Sequence, residues 1–277
     1  MNRAFAAIEA IERAAWVDIY EAAPAEFARQ AGLSSARIDD VAILCLSAAP
    51  DTQFNRILGL GVDRPATAEL LDMAVDRMKA GGNARYFLHV VPWAEPKELA
   101  AWLGGYGLQR YHRPWAKFHR GPTLPPDIST AFRLAEIGPE RAMDFARPVA
   151  AGFGAPPPFQ FWLAALPGRA GWRVYVAYDG SEPVAGAALY IHDATAWLGI
   201  AATLPSHRGQ GGQGALMARR IADAIAEGCR DIATETGVPV PGQANSSYFN
   251  MLRCGFEVAY LRDNYLPSSE GSGQLQA

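Results

Sequence analysis

The 277-residue sequence is short of cysteine: Cys45, Cys229 and Cys254 stand far apart and are odd in number. That excludes a disulfide framework and a paired-cysteine metal clip, and it fits a reducing cytosol. The five histidines show no His-Glu-x-x-His spacing, so no metal site is expected. No uncharged apolar run reaches the roughly 18–20 residues of a membrane span. The segment MNRAFAAIEAIERAAW places Glu9 and Glu12 where a signal peptide needs an apolar core. The net charge is −3 and the isoelectric point about 6.0, so neither nucleic acid nor an anionic membrane is called for as a partner. What the chain does have is apolar content, 50% of its residues, enough to bury a core in one large or two modest domains. The expectation is a cytoplasmic protein, a monomer or a homodimer.

The stretch GPTLPPDI (121–128) holds three prolines and a glycine and has no periodicity. It places a linker at 123–128 between regions 1–122 and 129–277. After the linker, TAFRLAEI reads as a strand, followed by helical segments around GPERAMDFARPVAAGF and PFQFWLAALPG. Three strands with hairpin signals come next: WRVYVAY, PVAGAALYI after Asp179-Gly180, and AWLGIAAT after Asp193. A glycine-rich loop leads into a helix over 212–228, with Ala218, Ile221, Ala222 and Ile225 on one face. Arg219, Arg220, Asp223 and Glu227 point the other way. A strand, DIATET, a helix near 245–254 and C-terminal strands complete the region.

The first region repeats the later part of this plan. RILGLG, the helix TAELLDMAVDRMKAGG, the strand ARYFLHVV, the helix PKELAAWLGG and GLQRYHR follow in the same order. Gly82 to Gly107 spans 25 positions against 27 from Gly228 to Gly255. Gly59 to Gly82 spans 23 against 29 from Gly199 to Gly228, so the first copy is six shorter where the second keeps its glycine loop. There the first copy reads VDRPAT, with Asp63 and no glycine. The neighbouring RYHRPWAKFHR (110–120) alternates basic and aromatic residues, which reads as a solvated strand face rather than a nucleic-acid patch.

RGQGGQGA (208–215) carries the chemistry. A Walker A loop fails, because Ala215 and Leu216 stand where Lys and Ser/Thr are needed. The G-x-G-x-x-G spacing of Gly209, Gly211 and Gly214 permits an NAD(P)-binding reading, with Glu235 further on. The intervening LPSHR and the antiparallel strands upstream oppose it. The remaining reading is a pyrophosphate cradle. A helix N-terminus exposes unpaired N–H groups and partial positive charge, and glycines let a phosphate approach them. Strand AWLGIAATLP, a basic glycine loop and a helix resemble the acyl-CoA loop of the GNAT superfamily of N-acetyltransferases, Arg/Gln-x-x-Gly-x-Gly/Ala. Arg208 and Gly211 match; Gln213 stands where Gly or Ala is usual, with Gly214 next. NSSYFNMLRCGFEVAY resembles the superfamily's C-terminal signature.

The resemblance covers about 130–266 and implies an α+β (mixed α/β) fold. With the repeat, it implies two GNAT-like domains in tandem, each a mostly antiparallel mixed sheet flanked by helices, the first without a cofactor loop. It implies acetyl-CoA as cosubstrate and direct attack on it by the amine of a small molecule. Pyrophosphate would meet the amides of Gly209, Gln210, Gly211, Gly212, Gln213 and Gly214, with Arg208 in support. A backbone N–H among Ala201, Ala202 and Thr203 would polarise the thioester. The usual strand carboxylate is missing, which leaves Glu235 as candidate base; Met251 replaces the usual tyrosine, which leaves Tyr248, one turn earlier, as candidate acid. Asn245 would touch the cofactor, cap its helix, or both, and Asn250 is a further candidate cofactor contact. The segment 145–172 would roof the acceptor site, with Arg147 available to an acceptor carboxylate. The alternative is an acyl-CoA-binding module with little catalysis.

Overall fold

The computed structural model describes residues 3–49, 52–83, 85–243 and 245–268. Helices α1 (Arg3–Glu21) and α2 (Ala25–Ala31) precede strands β1 (Leu33–Ile38), β2 (Val41–Leu46) and β3 (Arg56–Leu58). Then come α3 (Ala68–Ala80), β4 (Phe87–Val90), α4 (Leu99–Gly105), β5 (Leu108–Arg110) and β6 (Trp115–Arg120). Beyond the proline-rich stretch lie β7 (Arg133–Ile137), α5 (Ala142–Gly152), α6 (Phe159–Leu163), β8 (Trp172–Asp179), β9 (Glu182–His192) and β10 (Thr195–Thr203). The last described elements are α7 (Gly212–Ala226), β11 (Asp231–Gly237), α8 (Ser246–Arg253) and β12 (Glu257–Pro267).

All the strands join one sheet in the order β1-β2-β3-β4-β12-β6-β11-β10-β9-β8-β7, with β5 on the end of β12. Two pairs are parallel, β3–β4 and β10–β11, and each is bridged by a helix, α3 or α7. These are the two segments that the sequence repeat aligned. The halves exchange strands. β6, from the first half, lies against β11, while β12, from the second, pairs with β6, β4 and β5. The strands entering the glycine loop, β8–β9–β10, are antiparallel, unlike the parallel opening of a dinucleotide-binding sheet.

α1, which contributes Ile8, Ile11, Ala15, Trp16 and Ile19, packs in the same apolar cluster as Val149 of α5 and Trp162 of α6. Trp162 is fully buried beside Tyr20, Phe27, Phe54 and Phe159, and its indole N–H donates to Ile19 O at 2.7 Å. Burying such a side chain contributes on the order of 1.5–3 kcal/mol. α7 and α8 cover the opposite face, over Leu198, Leu216, Ile221, Met251 and Phe256.

Two expectations change. β6 is a central strand, not a solvated face: Lys117 is fully buried, because Glu12 and Glu235 close on its ammonium. Arg220 does not point to water. It is 1% exposed, and its guanidinium donates to Leu216 O, Ala188 O and Gly199 O, the last at the point where β10 leaves its register. Helical periodicity read a charge as an outward residue, whereas the exposed carbonyls of a bulged strand required a buried donor.

Candidate active site

β10 and β11 pair only over Thr195–Trp197 and Asp231–Ala233, then splay apart. Thr234 Oγ1 donates to Leu198 O at 2.8 Å just beyond the last pair, at the apex of the opening. The register of β10 against β9 shifts between Gly199 and Ala202, and Ile200 adopts φ 47°, a left-handed conformation that a β-branched residue rarely takes. The result is a cleft of about 1080 Å³ with two walls.

The α7–α8 wall is largely backbone. Gly211, the residue before α7, has φ 80° and no capping side chain, so the first-turn amides of Gly212, Gln213 and Gly214 have no intrahelical partner. A Cβ on Gly211 would lie 2.7 Å from Ser129 O, so glycine is required there by space as well as by φ. Gln213 turns inward: its Nε2 donates to Thr203 Oγ1 at 3.0 Å and bridges α7 to the end of β10. The residue that departed from the expected small side chain therefore braces the loop from below. Arg208 is held at the loop's shoulder by Thr203 O and Gly152 O. Gln210 is outside the cleft lining; its carbonyl accepts from Thr130 Oγ1. Ala201, Ala202 and Thr203 line the cleft beside Gly209, Gly211, Gly212, Gln213 and Gly214. Burial pushes the Arg220 guanidinium, which also lines it, down to about 10.

α8 differs from expectation. Asn245 is spent on structure: its Oδ1 accepts from Tyr248 N and its Nδ2 donates to Gly237 O at 2.7 Å. Tyr248 lies outside the cleft lining, edge-on against Phe118 at 5.0 Å, because the i,i+3 neighbour that does face the cleft is Met251. Asn250 does line the cleft, with Ser246, Ser247 and Arg253, which no sequence signal singled out.

The α1 wall is side chains drawn from five distant segments. Trp16, Arg56, Trp115, Trp197, Arg113 and Glu235 line it. The Arg56 guanidinium lies between the rings of Trp16 and Trp115, 4.1 and 4.6 Å from their centroids. Glu235 is buried on β11; it meets Lys117 Nζ at 2.6 Å, Arg56 at 3.5 Å and accepts from Trp197 Nε1 at 3.2 Å. Glu12 completes the network, paired with Lys117 at 2.5 Å and with Arg262, which also meets Glu9 at 3.0 Å. Burial and the charge of Glu12 raise the Glu235 carboxyl above the ordinary glutamate range, against the pull of Lys117, Arg262 and Arg56. Burial also works against the Glu12 carboxylate, but Arg262 and Lys117 more than offset it and hold that group well below the ordinary range. Arg147, expected near an acceptor, is exposed on α5 and absent from the cleft lining, which instead receives Gly152 and Phe153 from this region. No group of His, Cys, Asp and Glu that could hold a metal ion occurs among the described residues. No helix of the described residues is long and apolar enough to cross a membrane.

Known proteins are similar to this chain in sequence pattern and fold. A family model described as an acetyltransferase (GNAT) domain matches residues 126–237. A search of curated protein sequences finds no match. Among solved structures, a GCN5-related N-acetyltransferase from Kribbella flavida is similar at 19% identity and TM-score 0.54, over 92% of this chain and 96% of that one. A tandem GNAT protein from the clavulanic acid biosynthesis pathway superposes at 14% identity and TM-score 0.57, over 96% of each chain. A GCN5-related N-acetyltransferase from Sphaerobacter thermophilus does so at 15% identity and TM-score 0.54, over 82% of this chain and 79% of that one. The glycine loop, the bulged β10 and Glu235 all fall within residues 126–237, the segment that matches the acetyltransferase (GNAT) domain model.

Proposed function

We propose that the chain transfers acetyl from acetyl-CoA to the amine of a small molecule, with both bound at once in the cleft between β10 and β11. The observation that carries the reading is the division of that cleft: free helix-start amides on one wall, a buried carboxylate on the other. Pyrophosphate would meet the amides of residues 209–214, and pantetheine would lie between the splayed strands. The amine nitrogen bonds to the thioester carbonyl carbon as the carbon–sulfur bond breaks. The proton lost by the amine goes to Glu235, directly or through water, and the departing thiolate takes one from solvent. Thiols are acidic enough, with a pKa of roughly 8.5, to leave without a dedicated acid. That fits a cleft to which Tyr248 contributes nothing. Residues 129–277 supply the cofactor wall, and 1–122 supply much of the acceptor wall instead of a second cofactor site. Asp63, in the segment that replaces the loop, is ion-paired to Arg13.

One observation favours the second reading, an acyl-CoA-binding module with little catalysis: Glu235 is already engaged by Lys117 and Arg56. Calorimetry with acetyl-CoA and thiol release with a panel of amines separate the two. Binding with turnover on at least one amine is expected; binding with none favours the module. Gly211→Asp is expected to weaken acetyl-CoA binding more than tenfold, since it combines a crowded left-handed position with a negative charge beside the phosphates. Unchanged affinity in that variant removes both readings.

A further inference from the structure

The acceptor wall carries one cation whose charge nothing described in the chain neutralises. Arg56 and Lys117 are each paired with Glu12 and Glu235. Arg113, half-buried on the same wall, makes no ion pair among the described residues; its Nε donates to Val238 O at 2.8 Å. The guanidinium lies flat over Gly237, where a Cβ would fall 2.7 Å from Nε and 2.8 Å from Cζ. Only a glycine on β11 leaves that seat open.

The placement is on the acceptor side. Successive residues of a strand face opposite ways, so Glu235 and Gly237 share the α1 face of β11, about 7 Å apart at roughly 3.3 Å per residue. Trp115, which pairs with Gly237, and Trp197 and Trp16 line the same wall. The Trp16 indole N–H on this wall is buried and has no acceptor among the described residues. A carboxylate site about 7 Å along the strand from a buried glutamate, between indole rings, matches a molecule bearing an amine at one end and a carboxylate at the other.

Resting on the acetyl-transfer reading, we propose that the acceptor is an amino acid or related amino-carboxylate, its carboxylate on Arg113, its amine toward Glu235 and its apolar part against Trp16 and Trp197. Guanidinium–carboxylate pairs are the strong, geometrically selective kind of charge-assisted hydrogen bond. Arg113 is thus a specificity residue for the acceptor and takes no part in holding acetyl-CoA.

The test uses the full chain, acetyl-CoA and matched acceptor pairs that differ by the carboxylate: phenylalanine and phenethylamine, leucine and isopentylamine, lysine and cadaverine. At least one carboxylate member is expected to have the lower KM, by about tenfold or more, the scale of a hydrogen bond to a charged group. Arg113→Gln should raise that KM about 10–100-fold, with kcat for the amines lacking a carboxylate and calorimetric acetyl-CoA affinity unchanged. Arg113→Lys should restore part of the loss, and Gly237→Ala, which displaces the guanidinium without removing it, should reproduce part of it. Equal use of both members of every pair, or an Arg113→Gln effect spread over all amines or onto acetyl-CoA, overturns the proposal. So does acetyl-CoA binding without turnover on any pair. Failure of the wild-type chain to bind acetyl-CoA overturns the acetyl-transfer reading instead.

Discussion

The two walls of the cleft are built by different means. The α7–α8 wall comes from one continuous stretch, and its chemistry is that of peptide N–H groups at the start of a helix. Side-chain identity matters there chiefly where it must be absent, as at Gly211. The α1 wall is assembled from residues 16, 56, 113–115, 197 and 235, and everything on it depends on side-chain type. Three carboxylates, Glu9, Glu12 and Glu235, meet three cations, Arg56, Lys117 and Arg262, out of water. A wall of peptide groups asks little of side-chain identity, whereas a wall of side chains changes its chemistry with each substitution.

The largest effect expected on this contrast comes from Glu12. Glu12→Gln leaves Lys117 and Arg262 buried without their closest partner, and should cost about 3–5 kcal/mol in urea unfolding. In the unmutated chain the Glu12 contribution is fully present above the ordinary carboxylate pKa and is lost as the pH falls through the depressed value. The variant should therefore lose part of the acid limb of the stability profile. A cost below about 1 kcal/mol would mean that the network is hydrated in solution.

Next in size is Glu235→Gln, which should lower kcat about a hundredfold with acetyl-CoA affinity retained. A base works when deprotonated, so kcat/KM should rise with pH through the elevated Glu235 value. The same limb should vanish in the variant, with folding checked by circular dichroism. Persistence of the limb would assign it to another group. Smallest is Tyr248→Phe, which should leave kcat unchanged, because that ring packs on Phe118 outside the cleft. A large loss would place an acid on α8 after all.

Much of the backbone wall was legible beforehand. Glycines at 209, 211, 212 and 214 stand between a strand and an amphipathic helix, and the structure places them at the start of α7 beside the cleft. The helix around 68–80 was equally plain, since Leu71, Ala74, Val75 and Met78 repeat at helical spacing and are all buried. Alternation misled at 115–120, because a strand with an apolar cluster on one face and a buried ion-paired lysine on the other looks, in sequence, like one that meets water. Periodicity misplaced Arg220 for a related reason. Asn245 and Tyr248 matched a motif by position, but capping geometry used the first and core packing the second. Nothing in the sequence joined Trp16, Arg56 and Arg113 to Glu235.

The sequence by itself determined many of the local units from residue 56 onward, and where glycine frees the start of α7. These follow from short-range sterics and hydrogen bonding, which a few neighbouring residues fix. The tertiary structure decided the rest: the exchange of β6 and β12, the seating of α1 across β10 and β11, and so the charge and shape of the acceptor wall. Those depend on side chains up to some 250 positions apart, such as Glu12 and Arg262, and only the folded sheet brings such distant charges within bonding distance.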